Sequence, residues 1–145
     1  MRKFASEEKF IFLPAFIRLG TIAGQIQLLV DTGSPFTVLA PRDGIRFRIP
    51  LKRYARQKAK TVQLAGFLFK KFPLDKATLT LTDDKDEHYH VTTDTVQLLT
   101  PTKVNKQTMR DTQHIPSIVG LNWLTEQDVT LVYNPNRSIA FLDFP

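Results

Sequence analysis

Between Leu28 and Leu39 the chain reads Leu-Leu-Val-Asp-Thr-Gly-Ser-Pro-Phe-Thr-Val-Leu, and this stretch limits the possible folds more than any other. Three consecutive branched aliphatics are what a strand buried on both faces of a sheet needs. They deliver one carboxylate into a turn of small polar residues, where Gly33 admits a backbone conformation closed to other residues. A second apolar strand, Thr37-Val38-Leu39, follows at once. Asp31 therefore stands at a buried strand end. Removing a carboxylate from water there is costly unless hydrogen bonds or a function offset it, which makes Asp31 the first candidate for chemistry. Asp-Thr-Gly-Ser by itself also suits an ordinary turn in which Asp bonds its own backbone; the twelve-residue context separates the two readings.

The flanking chain is rich in strand signals. Phe10–Leu13 and Phe16–Leu19 flank a Pro14-Ala15 step, and Gly20 to Gln25 has hairpin spacing before Ile26 leads into the run ending at Asp31. Ala40 to Gly44 reads as a turn, and Ile45-Arg46-Phe47-Arg48-Ile49 alternates as a strand would. Leu51, Tyr54, Ala55 and Ala59 fall at helical spacing after Pro50. Thr61 to Phe69 forms two strand arms around Ala65-Gly66, the signal of a hairpin tip. Ala77–Leu81 and His88–Thr93 flank a polar turn, Thr95–Leu99 is one more strand, and Thr100 to Gln113 reads as a long loop. Val129–Tyr133 and Ser138–Leu142 make a final hairpin about residues 134–137.

Length and composition bound the rest. A chain of 145 residues, 42% apolar with eleven Phe, is expected to form a single domain over 1–145 with a sizeable core. It has no cysteine, which rules out a disulfide framework and a thiolate metal site and fits a cytoplasmic location. The charged start does not make a signal peptide, and no run approaches the roughly 18 apolar residues of a membrane span, so the chain is expected to be soluble. The net charge is +6, with eight basic residues between Arg42 and Lys60 opposed by Asp43 alone. No aromatic-rich stacking pattern accompanies this stripe, so nucleic acid is not expected as a partner. His88 and His90 share a strand face, but no third ligand is indicated beside them except turn carboxylates, so no metal site is expected. His114, before Ile115-Pro116, is read as structural.

A second informative run is Ile115-Pro116-Ser117-Ile118-Val119-Gly120-Leu121-Asn122-Trp123-Leu124. It sets two branched aliphatics before a glycine and a helix-compatible segment. Together with the Asp31 stretch it resembles the two signatures of the retropepsin-like aspartic protease superfamily, in the single-domain cellular, bacterial or archaeal style rather than the viral one. Asp31, Thr32, Gly33, Ser34 and Thr37-Val38-Leu39 fall on the active-site pattern, and Ile118-Val119-Gly120 on the second. Two positions depart from the pattern. Ala65 stands where flaps have more glycine, and Leu121 where viral members carry a bracing arginine.

The resemblance implies an all-β, mainly antiparallel fold, a retropepsin-like acid protease barrel with one short C-terminal helix. It implies an aspartic endopeptidase with Asp31 catalytic, supported by Thr32, Gly33 and Ser34, the last bonding the outer carboxylate oxygen. Leu64, Ala65 and Gly66 are the flap candidates, and Ile118, Val119 and Gly120 would pack beneath the catalytic loop. Such chemistry uses two carboxylates sharing a proton. This chain has one Asp-Thr-Gly, so the resemblance implies a homodimer with one Asp31 from each subunit, acting on a peptide or protein without a cofactor. Ile139–Phe144 is a candidate for the strand interface between subunits, though an intramolecular edge strand is an equal reading. A catalytically inactive retropepsin-like module for dimerisation or peptide binding is the alternative.

Overall fold

The computed structural model describes residues 2–5, 11–137 and 139–145. Nearly half of them lie in twelve strands: β1 (Arg2–Ala5), β2 (Phe12–Leu19), β3 (Ile22–Val30), β4 (Thr37–Leu39), β5 (Lys60–Leu64), β6 (Phe67–Pro73), β7 (Ala77–Thr82), β8 (His88–Thr93), β9 (Val96–Pro101), β10 (Ser117–Val119), β11 (Thr130–Asn134) and β12 (Ile139–Phe144). Four short helices join them: α1 (Pro41–Arg46), α2 (Leu51–Ala55), α3 (Lys106–Asp111) and α4 (Leu121–Glu126). Nine strands form one sheet in the order β5-β6-β9-β4-β10-β3-β2-β7-β8, and β1-β12-β11 form a second. The expected all-β, mainly antiparallel fold is present. Its main ladder is open at β5 and β8, so no closed barrel is formed among the described residues.

The middle of the large sheet explains the sequence's paired apolar residues. Adjacent residues of a strand face opposite sides. Leu28, Leu39, Leu98 and Val119 enter the main core with Trp123, Leu142 and Phe144. Their neighbours Leu29, Val38, Leu99 and Ile118 enter a second cluster, with Phe69, Ile115, Phe36, Val62, Leu64 and Phe67. The central strands are therefore buried on both faces, as the run before Asp31 predicts. The second cluster lies where the β5–β6 hairpin meets the loop after Asp31.

Several expectations are corrected. Ile45–Ile49 is not a strand. Pro41 opens α1 from an extended Ala40, and Arg48 at φ 60° breaks any regular extension. Phe47 is buried nonetheless, pressed so closely on Gly24 that a Cβ there would lie 2.5 Å from its ring. The expected helix after Pro50 is α2, which stops at Ala55. The long loop 100–113 contains α3, opened by a capping box between Asn105 and Thr108. Pro14 does not interrupt β2, because it lies outside the part of that strand paired with β7. Phe10 and Ser138, assigned to strands from sequence, fall outside the described residues.

The strand Ile139–Phe144 is not an edge. It pairs antiparallel with β1 on one side, Arg2 opposite Phe144, and with β11 on the other, Thr130 opposite Asp143. Both ladders of β12 are thus taken within the chain.

Candidate active site

The site is built by a crossing of chain. Strands β3 and β4 are consecutive in sequence but not neighbours in the sheet, since β10 lies between them, parallel to β3 and antiparallel to β4. The connecting segment 31–36 must therefore pass over the end of β10. Ser117, Ile118 and Val119 pair with Leu28, Leu29 and Val30, and the next backbone bond runs from Asp31 N to Val119 O at 3.0 Å. Asp31 is placed by the sheet itself.

Gly120 is where the crossing is tightest. A Cβ on it would lie 2.1 Å from the carbonyl oxygen of Phe36 and 2.7 Å from that of Ser34, far inside contact distance, so only glycine fits. Beyond it the first amides of α4 hold the loop: Leu121 N donates to Ser34 O at 2.7 Å and Asn122 N to Pro35 O at 3.3 Å. These are helix-start donors with no partner inside their own helix. At Leu121 the contact with the loop is thus made by the backbone amide, and the side chain is half exposed.

Within the loop, Asp31 is half-buried, Thr32 and Gly33 are exposed and Ser34 is half-buried. Gly33 N donates to Asp31 Oδ1 at 2.9 Å and Ser34 N to Asp31 O at 3.1 Å. Gly33 is not in the left-handed region, where Gly20 and Gly66 are the described glycines. Its closeness to the carboxylate is the tighter constraint, because a Cβ there would sit 3.2 Å from Asp31 Oδ1 and would press on that side chain. The Ser34 hydroxyl does not reach that carboxylate; it donates to Phe36 O at 2.8 Å.

Two further residues complete the support, and both are polar groups within apolar runs. Thr37 is 2% exposed. Its Oγ1 donates to Asn122 Oδ1 at 2.7 Å and accepts from Gly120 N at 3.0 Å. Ser117, fully buried, accepts from Ala40 N at 2.8 Å and donates to the Asp43 carboxylate. That carboxylate pairs with Arg46 at 3.0 Å. The available sequence signal was a lone hydroxyl inside each apolar strand, since a buried hydroxyl needs a partner.

The flap candidates form the tip of the β5–β6 hairpin. Ala65 (φ 52°) and Gly66 (φ 82°) make a two-residue turn with both central residues left-handed, which matches strand twist. Leu64 and Phe67 pack in the second cluster with Leu29, Phe36 and Ile118, while Ala65 and Gly66 are exposed. The hairpin, Phe36 of the loop after Asp31 and Ile118 of β10 thus meet at one apolar cluster, while Val119 faces the main core. His114 touches the hairpin through Phe67, ring centroids 6.3 Å apart. His88 and His90 lie elsewhere, facing Thr82 and Thr80 across β7 and β8. Among the described residues no group of three His, Cys, Asp or Glu could hold a metal, and no helix is long and apolar enough to cross a membrane.

An open β-sheet architecture in which one loop carries Asp-Thr-Gly over a glycine-ended strand is a retropepsin-like fold. A crystal structure of a retropepsin-like aspartic protease from Rickettsia conorii superposes with a TM-score of 0.58 at 12% identity, covering 98% of this chain and 90% of that one. The retroviral protease-like domain of Ddi1 from Leishmania major gives a TM-score of 0.45 at 13% identity over 91% of this chain and 94% of that one. No protein-family model matches the sequence, and no curated protein does. The chain has the retropepsin-like fold.

Proposed function

We propose that the protein is an aspartic endopeptidase whose active site forms between two copies of the chain, with Asp31 of each subunit as the catalytic residue. The observation that carries this reading is the construction around Asp31. A carboxylate at the sheet end is left half-exposed, with one oxygen held by Gly33 N and its loop pinned by Gly120, Leu121 and Asn122. Positioning of this kind is what a reacting group needs.

Chemistry requires a second carboxylate about 3 Å away, so that the pair shares one proton and titrates as a unit. In the dimer one Asp31 takes a proton from a water, which attacks the peptide carbonyl carbon. Its mate gives its proton to the carbonyl oxygen, forming a neutral tetrahedral diol. Collapse of the diol breaks the C–N bond, with a proton delivered to the leaving amine. In this reading Thr32, which is exposed, buttresses its counterpart across the two-fold axis, and the β5–β6 hairpin closes over the peptide to exclude water. The cysteine-free composition is in keeping with a cytoplasmic protein.

One observation favours an inactive peptide-binding module over a site shared between subunits: β12 is paired on both sides within the chain and offers no free edge to a second subunit. The discriminating experiment is sedimentation of the purified protein with a peptide-library digest of wild type and Asp31→Asn. A dimer that cleaves peptides, with cleavage abolished in a folded Asp31→Asn variant, is expected. Persistent cleavage by the variant rejects the assignment, and a stable monomer rejects the shared site.

A further inference from the structure

The cleft beside the catalytic loop carries an unusual charge. A cavity of about 670 Å³ is lined by Phe36, Lys58, Lys60, Val62, Lys71 and Gln97 among others, with no carboxylate among its described lining residues. Phe36 ties the cavity to the active-site loop, because its carbonyl receives the Ser34 hydroxyl and roofs Gly120. Val62 and Phe36 also belong to the apolar cluster shared by hairpin and loop. The cavity therefore adjoins the apolar contact between the Asp31 loop and the hairpin.

Its two central cations are arranged against their own interest. Lys60 and Lys71 are direct partners across the β5–β6 ladder, so their side chains rise from the same face, and like charges so placed repel. Lys71 Nζ sits 3.1 Å above the Phe36 ring, an electrostatically favourable seat for an ammonium. Burial first and Lys60 second hold the Lys71 amine below its ordinary range. With the two lysines on one face of the ladder, Lys71 over the Phe36 ring and no described anion in the cavity, a ligand carboxylate would relieve the repulsion by pairing with both.

We propose that this cavity is a specificity subsite for an acidic residue of the bound peptide, with Lys60 and Lys71 together taking the Asp or Glu carboxylate and Phe36 packing its methylene stem. The inference rests on reading the Asp31 cleft as a peptide site, and its test does not require turnover. The folded Asp31→Asn protein is titrated with two short fluorescein-labelled peptides of the same apolar frame, one carrying three Glu and the other three Gln. At about 0.15 M salt the Glu peptide is expected to bind about tenfold more tightly. Lys60→Gln/Lys71→Gln in the same background should bring the two to within about twofold of each other. A Lys60→Glu/Lys71→Glu version should prefer a peptide carrying three Lys, with circular dichroism checking that every variant is folded.

Equal binding of the Glu and Gln peptides, binding of neither, or a preference unchanged in the Gln variants would overturn the subsite. So would a single-stranded DNA oligonucleotide of matched charge that binds more tightly than the Glu peptide. If the Glu preference holds while wild type cleaves neither peptide and fails across a peptide library, the peptidase reading falls and the acidic-peptide site stands.

Discussion

The Thr37 hydroxyl donates to Asn122 Oδ1 at 2.7 Å while accepting the amide hydrogen of Gly120 at 3.0 Å, so one buried side chain joins the strand leaving the Asp31 loop to the helix beneath it. Replacing it by valine keeps the shape and removes both bonds, leaving a buried amide unpaired. Thr37→Val should cost about 2 kcal/mol of stability, whereas Thr37→Ser, which keeps the hydroxyl, should cost about 1 kcal/mol for the lost methyl. Urea unfolding of the pair decides: equal losses would mean the hydroxyl is not holding the loop.

Gly120→Ala should be worse. The new methyl would meet backbone oxygens of Phe36 and Ser34 rather than the end of a flexible side chain, so the loop must lift. A loss of about 3 kcal/mol is expected, with any peptide cleavage lost at temperatures where the variant remains folded. A urea midpoint within error of wild type would contradict the crossing geometry described for residues 31–36.

At the hairpin tip the strain lies on an alanine. Ala65 at φ 52° occupies a conformation that costs an L-residue about 1–2 kcal/mol. Ala65→Gly relieves this and loses part of the gain to greater freedom of the unfolded chain. The net expectation is a stabilisation of about 0.5 kcal/mol, read as a rise in Tm of about 1–2 °C. Thermal scans of Ala65→Gly and Ala65→Val should therefore move in opposite directions; a fall for glycine would refute the strain.

Lys71 gives a pH signature. Its amine lies below the ordinary value of 10.5 because of burial and then Lys60. The unfolded chain therefore binds more protons than the folded one between the lowered value and 10.5, and stability rises with pH across that window. At neutral pH the cost of the charged amine is fully present. Lys71→Met, which keeps contact with the Phe36 ring, should remove this alkaline rise relative to wild type. Parallel stability curves for the two proteins from pH 7 upward would show that Lys71 carries no such cost.

The sequence disclosed more of the strands than of their connections. The paired aliphatics at Leu28-Leu29, Val38-Leu39, Leu98-Leu99 and Ile118-Val119 fit strands covered on both faces, because alternate side chains supply two different clusters. Ile45–Ile49 misled, since a period-two pattern over five residues is also met by the end of α1, a left-handed Arg48 and a buried Ile49. The cap at Asn105 and Thr108 was written in the chain but lay inside a polar stretch without apolar period. The charged segment Arg2–Ala5 gave no strand signal and is one only because β12 offers it an edge.

Local chemistry alone determined that Asp31 would end a buried strand in a tight turn, and that a hairpin would turn at Ala65-Gly66, for those depend on neighbours a few residues apart. Which glycine mattered for which reason was decided by the tertiary structure. A Cβ on Gly33 would press on its own carboxylate neighbour, whereas Gly120 is required by a carbonyl that is 84 positions away in sequence and 2.1 Å from where a Cβ would stand. The pairing of Lys60 with Lys71 beside Phe36 was likewise invisible until the ladder's register brought three separated residues to one cavity. Strand patterns are set by short-range periodicity, but the order in which strands are laid side by side is a long-range choice, and that order built the site.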